Sequence, residues 1–124
     1  MRRRNRNNAS QRIDGRISIE RERMIITDNG DKRKSAYLRM MDEYGVFMQH
    51  TVAMEECAEL IQAISKVIRQ GNDIDKMNMA GEMADVLIMM EQMMLYNGIT
   101  LDDLKKHMDG KIERMESKGR DGIE

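Results

Sequence analysis

The sequence predicts an all-α domain, on three observations. Its apolar residues are mostly Met, Leu, Ile and Ala: fifteen Met stand against one Phe, three Tyr and no Trp, so the aromatic-rich segments that favour strands are missing. No Pro interrupts the chain. From Lys34 onward, apolar residues recur three and four positions apart between stops that contain glycine, the spacing of helices buried on one face.

The elements follow in order. A first helix is expected from about Ser35 to Tyr44, with Tyr37, Leu38 and Met41 on one side and Gly45 ending or bending it. Asn29-Gly30-Asp31 before it reads as a turn. A long second helix, about Phe47 to Arg69, places Met48, Val52, Leu60, Ile64 and Val67 at apolar positions and stops at Gln70-Gly71-Asn72-Asp73. Asp73 or Asp75 is expected to cap the third helix, which runs to Tyr96 and ends at Asn97-Gly98. In that helix Met79, Met83, Val86, Leu87, Met90 and Met94 form the expected packing face. The fourth helix starts after Thr100, with Asp103 three residues on as a near capping box. Leu101, Leu104, Met108, Ile112 and Met115 form its apolar stripe.

The N-terminal part is chemically different. Residues 1–36 carry 11 Lys/Arg against 5 Asp/Glu, and residues 37–124 carry 10 against 17, although the whole chain is at −1. The basic stretch 1–34 is expected to be a largely disordered extension, because its first ten residues offer almost no apolar area to offset ordering entropy. Residues 16–27 alternate weakly and suit a short strand or an arm on a neighbouring subunit. Residues 35–119 form the expected domain and 120–124 a tail. The one cysteine, Cys57, excludes an internal disulfide, and the longest apolar run, Val86 to Met90, is far short of a membrane span. A cytoplasmic protein with no membrane contact is expected.

Four carboxylates call for a reason. Glu56 and Glu59 on the second helix, and Glu82 and Asp85 on the third, are each three residues apart, so each pair shares a helix face. Two such helices packed together aim four oxygen donors at one point, which is a site for a hard divalent cation, Mg2+ above all and Mn2+ as a substitute. Gln49 and Lys66 share the strip of Glu56 and Glu59, one or two turns to either side.

At these residues the chain resembles the MazG-like nucleoside triphosphate pyrophosphohydrolases, the all-α NTP pyrophosphatase superfamily. That pattern is EExxE, a spacer, then ExxD, and here Glu55-Glu56 with Glu59 is followed after 22 residues by Glu82 and Asp85. The flanks agree as well: Tyr44-Gly45, Gln49, the run from Glu59 to Ile64, Ala84-Asp85-Val86, and Lys111 with Arg114. The resemblance covers about Ser35 to Lys118 and implies a four-helix bundle that cleaves a nucleoside triphosphate between its α and β phosphates.

It also implies roles for the residues. Glu56, Glu59, Glu82 and Asp85 would ligate Mg2+, and Glu55, Glu56 and Glu59 would form the catalytic group. Glu55 points about 100° away from Glu56 and is open to acting on water, holding a second metal or bridging a neighbour. Gln49, Lys66, Lys111 and Arg114 are the candidates for substrate contact. A homodimer or homotetramer is expected, because four helices with apolar residues on more than one face cannot cover them within one chain. Two other readings stay open. One is a nucleic-acid-binding oligomer that uses Arg2, Arg3, Arg4 and Arg6; the other is a catalytically degenerate nucleotide binder.

Overall fold

The computed structural model describes residues 23–26 and 28–121. The extension up to residue 22 and the last residues of the tail therefore lie outside the described residues. Four helices run in order, α1 (Gly30–Tyr44), α2 (Val46–Arg69), α3 (Asp73–Asn97) and α4 (Leu101–Asp121), with no strand among the described residues. The all-α expectation is met.

The first boundary differs from the sequence reading. Instead of a turn through residues 29–31 and a helix from Ser35, the turn lies at Asp28 and Asn29, the latter at φ 57°, and α1 begins at Gly30. Asn is among the few residues that occupy the left-handed region readily, and its carbonyl accepts from the Arg33 N–H at 3.1 Å, closing the first turn. At the other end Gly45 is the whole joint between α1 and α2. Its φ of 87° and ψ of 154° lie in a region that is essentially closed to residues with a Cβ. Its N–H donates to the Met41 carbonyl at 2.9 Å and its own carbonyl accepts from Gln49 at 3.1 Å, so both helix ends stay satisfied.

The cap of α3 also differs. Asn72, not Asp73 or Asp75, is the N-cap, its side chain accepting from the Asp75 N–H at 2.8 Å. The two aspartates fall inside the first turn, where the helix dipole favours negative charge. Gly98 closes α3 in the left-handed conformation at φ 67°, as its position suggests. Thr100 and Asp103 form the expected reciprocal box, with Thr100 Oγ1 accepting from Asp103 N–H at 3.1 Å and Asp103 Oδ2 accepting from Thr100 N–H at 2.8 Å. The hydrogen bonds from Thr100 hold the Asp103 carboxyl below its ordinary range.

Helices α2 and α3 pack antiparallel along most of their length, α1 rests on α2, and α4 shares no comparable interface with the others. The packing face of α3 follows its Met periodicity in part: Met94 is buried and Met79, Val86 and Leu87 are half-buried as expected, but Met83 and Met90 are exposed, and Met89 and Gln92 are buried instead. Burial concentrates in the C-terminal half of α3 because α1 and residues 24–26 are tied there by a polar anchor. That anchor is Glu91, 2% exposed. Its carboxylate accepts from Tyr37 Oη at 2.6 Å, Arg33 Nε at 2.8 Å and the Ile25 and Ile26 N–H groups at 2.8 and 3.2 Å. The Arg33 guanidinium also donates to the carbonyls of Asp28 and Ile26. Burial pushes the Glu91 carboxyl up, but the hydrogen bonds from Arg33, Tyr37 and Ile26 outweigh it and hold the group below its ordinary value. Tyr37 responds in the opposite direction, its phenol pushed up by burial and by the neighbouring carboxylate.

Among the described residues the buried apolar core is small: Met24, Tyr37, Met89 and Met94. Large apolar side chains are instead left outside in an ordered way. On α2, Phe47, Met54, Ile61 and Ile68 are each at least 67% exposed. They stand seven residues apart and so form one ridge along the helix. On α4 the stripe of Met108, Ile112 and Met115 is exposed too.

Candidate metal centre

The paired spacing of the acids becomes a cluster because α2 and α3 run antiparallel, which sets Glu59 opposite Glu82. One carboxylate oxygen from each of Glu56, Glu59 and Glu82 falls within 4.8 Å of the other two. Glu56 and Glu82 are half-buried at the seam of the two helices, and Glu59 is exposed at its mouth. Asp85 lies outside this closest group but near enough for its charge to act on Glu56 and Glu82.

Electrostatics and hydrogen bonding agree on what the cluster lacks. Burial first, then the charges of Glu59, Asp85 and Glu82, push the Glu56 carboxyl above its ordinary range. Glu82 moves the same way, through desolvation and the charges of Glu59 and Asp85. Glu56 Oε2 and Glu82 Oε2 are both buried with no hydrogen-bond partner. Such atoms are costly when unsatisfied, and more so when charged. A divalent cation satisfies both oxygens and cancels the repulsion, and an all-oxygen donor set suits Mg2+. The residues present fit the group.

The cluster opens into a groove of about 1160 Å³ between α2 and α3, whose walls include Glu59, Lys66, Arg69, Asp75, Glu82 and Asp85. Lys66 thus shares a cleft with the carboxylates. The other candidates for substrate contact sit elsewhere. Gln49 is buried and is not a wall of the groove. Lys111 and Arg114 line a separate depression of about 400 Å³ on α4 with Met115 and Lys118. Glu55 is exposed and belongs to neither the close group nor the groove. Asp75, which the sequence reading treated as a possible cap, is a groove wall that is 4% exposed. Its signal in the sequence was its position seven residues before Glu82, which repeats the face of the helix. Among the described residues, no helix is long and apolar enough to cross a membrane.

Residues 22–111 match the family model described as phosphoribosyl-ATP pyrophosphohydrolase, a member of the all-α NTP pyrophosphatase superfamily. No curated protein and no solved structure matches the chain.

Proposed function

Since the chain belongs to the phosphoribosyl-ATP pyrophosphohydrolase family, whose members are pyrophosphohydrolases acting on a nucleotide, we propose that it is Mg2+-dependent and cleaves a nucleoside triphosphate between the α and β phosphates. The products are the monophosphate and pyrophosphate. The observation that carries this reading is the close group of Glu56, Glu59 and Glu82 with its two orphaned buried oxygens.

Glu56, Glu59 and Glu82 would hold the ion, with Asp85 beside them. Mg2+ supplies, when bound, neutralisation of the triphosphate's charge and polarisation of the phosphoryl group under attack. The chain's own residues do the rest. The clustered carboxylates of Glu56, Glu59, Glu82 and Asp85 repel phosphate while the groove holds no metal, so substrate entry is coupled to the cation. Lys66 and Arg69 line the same groove and are long enough to swing toward the phosphates as point-charge and fork-shaped partners.

The test is a panel of NTPs, dNTPs and phosphoribosyl-ATP, with separate detection of pyrophosphate and orthophosphate. Pyrophosphate release that needs Mg2+ and stops with a chelator is expected. Orthophosphate as the released product, or turnover indifferent to chelation, would overturn the reading.

Assembly as a homodimer or homotetramer is part of the proposal. What supports it is the ordered exposure of Phe47, Met54, Ile61 and Ile68 on α2 and of the α4 stripe, beside the small buried apolar core of the described residues. Ridges of this kind lose roughly 25 cal/mol per Å² for as long as they stay in water. Lys111 and Arg114, which line a separate depression on α4, would then serve a neighbour's groove. Sedimentation equilibrium should return at least twice the 14.5 kDa of the chain, and a monomer mass at micromolar concentration sinks the assembly.

A further inference from the structure

We propose that Asp75 is the residue that reads the nucleoside: its buried carboxylate accepts a hydrogen bond from an N–H or O–H donor of the substrate's base or sugar. The inference rests on the triphosphate reading above and extends it to specificity.

Two independent features of Asp75 point to a ligand. The residue is 4% exposed and lines the same groove as the acidic cluster. Its Oδ2 is buried with no hydrogen-bond partner. The backbone of Asp75 is already used, its N–H donating to the Asn72 side chain at 2.8 Å, so the first turn of α3 is fixed by a cap that does not need the carboxylate. The partial positive charge of the helix N-terminus lets an anion stay at this position, but it does not replace the missing donor.

Register then decides which part of a nucleotide lies there. Asp75 precedes Glu82 by seven residues on one helix face, about 10 Å along α3 at 1.5 Å per residue. Lys66 follows Glu59 by the same seven residues on α2, so the antiparallel pairing sets Lys66 and Asp75 at one end of the groove and the metal ligands further along it. The phosphates cannot be the partner of Asp75, because an acceptor-only carboxylate repels them. Its side chain is also too short to reach back to the cluster. With the α phosphate at the cluster, the far end of the groove receives the nucleoside, whose base amines, ring N–H groups and sugar hydroxyls are donors. Lys66 and Arg69, on flexible stems, can turn from this end toward the phosphates.

A site built around a buried acceptor rejects analogues that lack the donor, since the acceptor is then left unpaired. The experiment measures binding by calorimetry in Mg2+, using non-cleavable α,β-methylene triphosphates of the four bases in ribo and deoxy forms, together with versions lacking the exocyclic amine. For wild type, deleting one donor should weaken binding at least about tenfold, with a sugar donor and a base donor separated by which analogue suffers. In Asp75→Ala the ratio between parent and analogue should fall to near one, and Asp75→Asn should shift the preference among bases. Equal loss across all ligands in both variants would mark a merely structural role and overturn the proposal. The wild-type series alone also decides, since no donor deletion costing more than twofold overturns it without any variant needing to fold. Wild type that binds no triphosphate overturns the proposed function together with this inference.

Discussion

Replacing Glu59 by Gln will cut Mg2+-dependent pyrophosphate release by about 1000-fold or more, which is roughly 4 kcal/mol of transition-state stabilisation. The amide keeps the shape of the side chain and removes one anion from a group whose ligand oxygens lie within 4.8 Å of each other. Two carboxylates then remain close, too few to hold a cation against water in an open groove. The variant will still fold. In wild type, the raised proton affinities of Glu56 and Glu82 mean that the metal-free folded state resists full ionisation. Relieving that repulsion leaves the metal-free protein at least as stable as before. Thermal melts with and without Mg2+ should therefore show wild type stabilised by the ion and Glu59→Gln indifferent to it. Activity within threefold of wild type would remove Glu59 from the metal site. Asp85→Asn is the graded companion, because Asp85 acts on the cluster from outside its closest group.

Glu91→Gln carries the largest expected loss of stability, about 3–5 kcal/mol, the cost of breaking a buried ion pair by one partner. The change removes the charge that accepts from Arg33, Tyr37 and two backbone N–H groups, and leaves the Arg33 guanidinium at the edge of the core without its counter-ion. The sign with pH follows from the depressed carboxyl. Because the folded-state value lies below the ordinary 4.5, the stabilisation is full above that value and is lost as pH falls through the folded-state value. Urea titrations at neutral pH should show the full gap between wild type and Glu91→Gln, and the gap should close in acid. A gap that is small at neutral pH, or that does not narrow in acid, would mean that the anchor is held by packing alone.

The helix ends set by local chemistry were legible in the sequence. Gly45, Gly98 and the pair Thr100 and Asp103 act within a few residues of themselves, so their meaning does not depend on the rest of the fold. The acidic pairs were legible for the same reason, since a spacing of three on a helix is a local fact, and their meeting needed only that α2 and α3 be antiparallel. What could not be read was set by partners far away in the chain. Glu91 sits among methionines and looks like a charge on the wet side of a helix until Arg33, 58 residues earlier, is placed against it. The early start of α1 at Gly30 belongs to the same anchor, because Arg33 is its fourth residue. The buried face of α3 was legible in part, through Met94 and the half-buried Met79, Val86 and Leu87, whereas Glu91 is drawn inward by Tyr37 and Arg33 from outside the helix.

Helix α2 carries Glu56 and Glu59 and also the exposed ridge of Phe47, Met54, Ile61 and Ile68, of which Ile61 lines the groove as well, so under the proposed function and assembly one helix would serve both the cation and the contact with a second copy. By mass action, a folded form tied to that assembly would be favoured as copies accumulate and lost as they are diluted. In the proposed assembly such a chain would take its own abundance as an input: sparse, it would idle, and only when plentiful would it begin to turn over its nucleotide.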